Sequence, residues 1–157
     1  MPQIDIAVRA GQWPQEEALA AIVDRAFAAA AAAGNLQFDE DAELSLLFTD
    51  DAEMRSINRQ WREQDKPTNV LSFPGEDVAE GEPAGEVLGD IVLAFETVQR
   101  EADLDGKRFD DHLSHLVVHG IFHLFGYDHM DDAQAGRMED AERRALAELG
   151  IDDPYRD

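Results

Sequence analysis

His119-Gly-Ile-Phe-His123-Leu-Phe-Gly126-Tyr-Asp-His129 holds three of the five histidines of this 157-residue chain, and the other two, His112 and His115, lie just upstream. A helix turns once every ~3.6 residues, so side chains at i and i+4 rise one above the other on a single face. His119 and His123 can therefore present two imidazole nitrogens to one ion. Gly126 is suited to end that helix in a left-handed turn, because it has no Cβ to clash there. Past the turn the chain can swing back and deliver His129 as a third ligand. Three neutral nitrogens with a coordination position left for water make a catalytic arrangement, whereas a structural zinc is normally closed by four protein ligands. The stretch points to a metal-dependent hydrolase.

The spacing resembles the metzincin protease pattern H-E-x-x-H-x-x-G-x-x-H, with one departure. The position of the catalytic glutamate is Gly120. Peptide hydrolysis by that route needs a carboxylate to take the water's proton and pass it to the leaving amine. The ligand set is complete, but the protease base is missing.

Composition narrows the setting. No stretch approaches the ~20 apolar residues that span a bilayer, and the Met1-Pro-Gln-Ile-Asp5 opening has neither a basic nor a hydrophobic region. A cytoplasmic location is the expectation. Cysteine is absent, so a metal must be held by nitrogen and oxygen. Zinc, nickel and cobalt all suit three imidazoles. The net charge of −22, from 13 basic and 35 acidic residues, repels nucleic acid on average. Arg55, Arg59, Arg62 and Lys66 nevertheless recur at helical spacing, as one basic face or simply a solvated one.

Periodicity supplies the rest of the layout. Residues 3–9 alternate apolar and polar as a half-buried strand, residues 14–33 form an alanine-rich helix ending at Gly34, and 44–48 is a second strand. Asp50 or Asp51 caps a helix with Met54, Ile57 and Trp61 on its apolar side, which Pro67 stops. Asn69–Pro74 is a short strand, 75–85 an acidic surface loop, and 86–95 a further strand with Gly89-Asp90 inside an apolar run. Helices are expected at 96–104, 109–125 and 132–149. One domain, 1–157, is expected: α+β, with a single mixed sheet of about four strands packed with about five helices. His115 is read as bonding a neighbour below the metal or touching substrate, and Asp128 as orienting an imidazole or capping the next turn.

Two motifs together resemble the YbeY family of bacterial endoribonucleases. One is His119-Gly-x-x-His123-Leu-x-Gly126-Tyr-Asp-His129, and the other Trp61-Arg62-Glu-Gln-Asp65-Lys-Pro67-Thr-Asn69-Val-Leu-Ser-Phe-Pro74. Leu88-Gly89-Asp90-Ile91 and Leu149-Gly-Ile-Asp-Asp-Pro154-Tyr155 agree, so the likeness runs in order over residues 58–155. The resemblance implies a zincin-like fold and one zinc ion per chain on His119, His123 and His129. It also implies cleavage of single-stranded ribosomal RNA, chiefly at the 3′ end of the small-subunit RNA, a part in ribosome quality control, and contact with the small subunit or its proteins. DNA and membranes are not expected partners. The family's arginine falls on Arg62, whose planar fork suits a phosphate. Asn69 stands where many relatives have Asp, so no catalytic role is given to it. Two other readings stay open. One is a non-catalytic ribosome assembly factor with a structural zinc closed by Asp128 or Asp131; the more distant one is a metalloprotease that borrows Asp90 or Glu86.

Overall fold

The computed structural model describes residues 1–155; the expected domain, 1–157, runs two residues past that range. Four strands, β1 (Gln3–Val8), β2 (Glu43–Thr49), β3 (Val70–Pro74) and β4 (Val87–Ala94), form one mixed sheet in the order β1-β2-β4-β3. β1, β2 and β4 run parallel, and β3 runs antiparallel to β4 along the edge. The five helices are α1 (Glu16–Gly34), α2 (Asp51–Arg62), α3 (Phe95–Asp105), α4 (Phe109–Leu124) and α5 (Asp132–Glu148).

Most of the core lies on one face of the sheet. Leu19, Ile22, Val23, Ala26, Phe27 and Ala30 line the inner stripe of α1 at helical spacing and pack with Leu44, Leu46, Phe48 and Ile91 of the strands. α4 runs through this layer and is apolar on most of its circumference, burying Leu113, Leu116, Val117, Ile121 and Phe122. Such a helix is held by packing on several sides. That fixes the direction in which its histidines emerge. Across the sheet, α2 covers Val92, Ala94, Leu71 and Phe73 through Met54 and Ile57.

Helix α2 starts at an Asp50 N-cap, whose Oδ1 accepts the Glu53 amide at 2.9 Å. Asp51 instead joins two helices: its carboxylate receives the amide and hydroxyl of Thr97 at 3.1 and 2.9 Å, tying α2 to α3. Trp61, read from its spacing as part of the buried stripe, is 65% exposed and meets Phe73 edge-on at 6.4 Å. Only Met54 and Asn58 of α2 are buried.

Candidate metal centre

Helix α4 places His119 and His123 one turn apart with their Nε2 atoms 3.1 Å from each other. At Gly126 the backbone turns to φ +93°, and the Tyr127 amide returns to the Phe122 carbonyl at 3.0 Å. An added Cβ there would collide with the Val78 carbonyl, which only glycine avoids. The reversed chain carries His129 back until its ring centroid is 5.3 Å from that of His123. Ligand atoms of all three histidines lie within 4.8 Å of one another, the one such cluster among the described residues. Burial, with the charges of His119 and His129 behind it, pushes His123 down to about 4. Its ring is neutral near pH 7 and keeps a lone pair for a ligand bond.

The donor set fits a borderline divalent ion: three imidazoles and no thiolate. Neither proposed fourth ligand joins it. The Asp128 carboxylate accepts the His129 amide at 2.8 Å, and Asp131 caps α5 by accepting the Gln134 amide at 2.7 Å.

These histidines line a cleft of about 940 Å³. One wall is the acidic loop through Val78, Ala79 and Glu82, which Arg137 on α5 anchors by an ion pair with Glu80 at 2.6 Å. The facing wall is β3 with Arg62, whose Nη2 donates to the Ser72 carbonyl at 2.7 Å while its guanidinium lies 5.0 Å from the Phe73 ring centre. Arg62 thus borders the same cleft as the three histidines, because β3 lines it. Arg55, on the same stripe, is instead paired bidentately with Asp65 at 2.8 and 3.1 Å. Asn69 also borders the cleft, but its amide is committed to Glu101 at 3.0 Å, which receives the His112 Nε2–H at 2.9 Å.

Gly120 explains the missing glutamate. A Cβ on it would lie 3.1 Å from both Ile91 Cδ1 and Ser72 Oγ. A side chain there would force Ile91 or Ser72 to give by a few tenths of an ångström. The carboxylates considered for a protease lie elsewhere: neither Glu86 nor Asp90 borders the metal cleft, and Asp90 opens instead into the groove with Trp61 and Phe73.

One residue escaped the sequence reading. Glu142 of α5 is 1% exposed and accepts His115 Nε2–H at 2.7 Å, His119 Nδ1–H at 3.1 Å and the Tyr155 hydroxyl at 2.7 Å. Burial alone would raise its pKa, but the hydrogen bonds and charges of His115 and His119 outweigh that and hold it at about 2. Burial and the neighbouring carboxylate push the Tyr155 phenol up, so it stays a donor. His115 is therefore a partner of this carboxylate. The available signal was positional, since Met138, Ala141, Glu142, Ala145 and Leu146 form the buried stripe of α5 with one acid inside it.

With that geometry in place, comparison with known proteins is decisive. A model of the family described as Endoribonuclease YbeY matches residues 5–150. The chain belongs to the YbeY family. Curated YbeY relatives share 54% identity with it in Sinorhizobium medicae, over 98% of this chain and 95% of the relative. The figure is 52% in Rhodopseudomonas palustris, over 100% and 83% respectively. Both are named Endoribonuclease YbeY. The solution structure of TM1509 from Thermotoga maritima is similar in fold, with a TM-score of 0.57 and 22% identity over the whole of both chains. YbeY membership accounts for the two motifs that meet in the cleft, one on α4 and its turn, the other on α2 and β3.

Proposed function

We propose that this YbeY-family protein is a zinc-dependent endoribonuclease of zincin-like architecture that cleaves single-stranded ribosomal RNA in the cytoplasm. It acts in maturation of the 3′ end of the small-subunit RNA and in ribosome quality control, in contact with that subunit or its proteins. The observation that carries the reading is the convergence of His119, His123 and His129 with Arg62 in one cleft that has glycine at the protease-base position. The endoribonuclease names of the curated relatives support it.

His119, His123 and His129 would hold the metal. A divalent ion bound there supplies Lewis acidity toward a phosphoryl oxygen and lowers the pKa of bound water. The chain's own groups do the rest. The neutral His123 keeps its lone pair available as a ligand, and Glu142 holds the proton of His119 on Nδ1, away from the cleft. Arg62, braced by Ser72 and Phe73, offers its remaining N–H donors to a phosphate, where charge grows in the transition state. The edge of β3 and the acidic loop leave a slot that an extended strand can enter. The substrate's own 2′-hydroxyl is available beside it.

Cleavage of a single-stranded ribosomal RNA fragment by the parent and by Arg62→Ala tests the assignment. The variant should cleave far more slowly while keeping its zinc; undiminished cleavage would remove Arg62 from the chemistry. The charge of −22 favours a second, compatible role in which the acidic surface engages basic ribosomal proteins during assembly. Retention of that function in a metal-site variant would separate the two.

A further inference from the structure

Among the described residues Glu142 is the one fully buried carboxylate, and it occupies a position on α5 where an apolar residue would complete the stripe. A buried charge costs several kcal/mol unless hydrogen bonds compensate it. Here they do, on both oxygens: Oε2 receives His119 Nδ1–H, and Oε1 receives both His115 Nε2–H and the Tyr155 hydroxyl. Only the first of these partners belongs to the metal cluster. The other two satisfy Oε1 and fix the carboxylate.

Tyr155 reaches this point from the segment after α5. The Asp153 carboxylate accepts Arg143 Nε at 3.1 Å and the Tyr155 amide at 2.8 Å, and the Arg143 guanidinium lies 5.4 Å from the Tyr155 ring centre. The segment Asp152-Asp153-Pro154-Tyr155 is laced to the outside of α5 so that its phenol points inward at the carboxylate. His119 stands on the other side of that carboxylate. The post-helix segment is thus two hydrogen bonds from the ring of His119.

We propose that Glu142 is a positioning residue for the metal centre and that Tyr155 acts through it, so that the segment after α5 sets the affinity of the three-histidine site. The proposal rests on the reading that His119, His123 and His129 hold the metal. A charged acceptor on Nδ1 keeps the His119 proton there, leaves the Nε2 lone pair toward His123 and His129, and fixes the ring plane. Loss of the charge frees the ring to adopt the other tautomer and another rotation.

The test starts from metal-free parent, Glu142→Gln, Tyr155→Phe and His123→Ala. Zinc affinity is measured in chelator-buffered competition, folding by circular dichroism, and the His119 tautomer by imidazole nitrogen NMR shifts. Glu142→Gln should fold, lose the uniform Nδ1–H tautomer of His119 and bind zinc about 10- to 100-fold more weakly. Tyr155→Phe, which touches no metal ligand, should weaken zinc about two- to tenfold, the worth of one hydrogen bond. A purely structural role would lower stability while leaving the tautomer and the zinc affinity of the folded variant unchanged; that result overturns the proposal. If Glu142→Gln does not fold, Tyr155→Phe decides, and parental affinity in it is equally fatal. The His123→Ala arm tests the underlying ligand reading separately: that variant must lose zinc, and if it does not, both readings fall.

Discussion

Gly120→Glu restores the residue that a metalloprotease carries between its helical histidines, and the packing of α4 decides whether the fold tolerates it. The first carbon of the new side chain would lie 3.1 Å from Ile91 Cδ1 and Ser72 Oγ and 3.2 Å from Ile91 Cγ2, inside the ordinary 3.4–4 Å contact range. Ile91 is fully buried on the interior strand β4, so it must shift against the core to make room. Overpacking of this kind costs about 1–3 kcal/mol. Replacing a mid-helix glycine returns about 1 kcal/mol, so Gly120→Ala should be destabilised by between zero and about 2 kcal/mol. The glutamate also brings a carboxylate into this helix–sheet contact, and an incompletely compensated charge there costs about 3–5 kcal/mol more. Gly120→Glu should then lose about 3–7 kcal/mol, a large share of the ~5–15 kcal/mol that holds a domain together. Thermal unfolding of the metal-free proteins should show a Tm at least ~6 °C below the parent for Gly120→Glu, with Gly120→Ala between them. If Gly120→Glu melts within ~2 °C of the parent, steric exclusion is not the reason for the glycine. A gain of peptidase activity in that variant would reopen the protease reading as well.

Three further outcomes rest on the same geometry. Gly126→Ala forces a side chain into a φ +93° turn and against the Val78 carbonyl; it should cost about 1–3 kcal/mol and weaken zinc by displacing His129, read by unfolding and by chelator competition. Asp50→Ala removes the cap on the Glu53 amide and should lower stability by about 1 kcal/mol in urea unfolding, with zinc affinity unchanged. Arg62→Ala should reduce RNA cleavage about a hundredfold or more, as for loss of one transition-state donor, with full zinc occupancy by elemental analysis.

Much of this arrangement was legible along the chain. The histidine trio is local: eleven residues contain a helix turn, a glycine reversal and a return, and each step has a geometric cause visible in the residues. Strands and helices were also recoverable from periodicity, and the mixed sheet with five helices matches it closely. The features that the sequence did not disclose depend on contacts between distant segments. Glu142 acquires its meaning only when α5 lies against α4, 23 residues from His119 in the chain. The acidic stretch is readable as a surface loop but not for its role, and its backbone packs on Gly126 and forms one wall of the cleft. Trp61 is apolar by spacing yet 65% exposed, touching the sheet only edge-on at Phe73. The packing at Gly120 is likewise tertiary, since only the seat of α4 on β3 and β4 shows how closely a side chain there would meet Ile91 and Ser72.

The most direct test of the central claim combines metal content with catalysis in one preparation. Elemental analysis of the purified parent, and cleavage of single-stranded ribosomal RNA by the parent and by His123→Ala, are measured side by side. The account predicts about one zinc per parent chain, with zinc and cleavage lost together in the variant. Cleavage that persists unchanged in His123→Ala after its zinc is gone would show that the three-histidine centre does not perform the reaction.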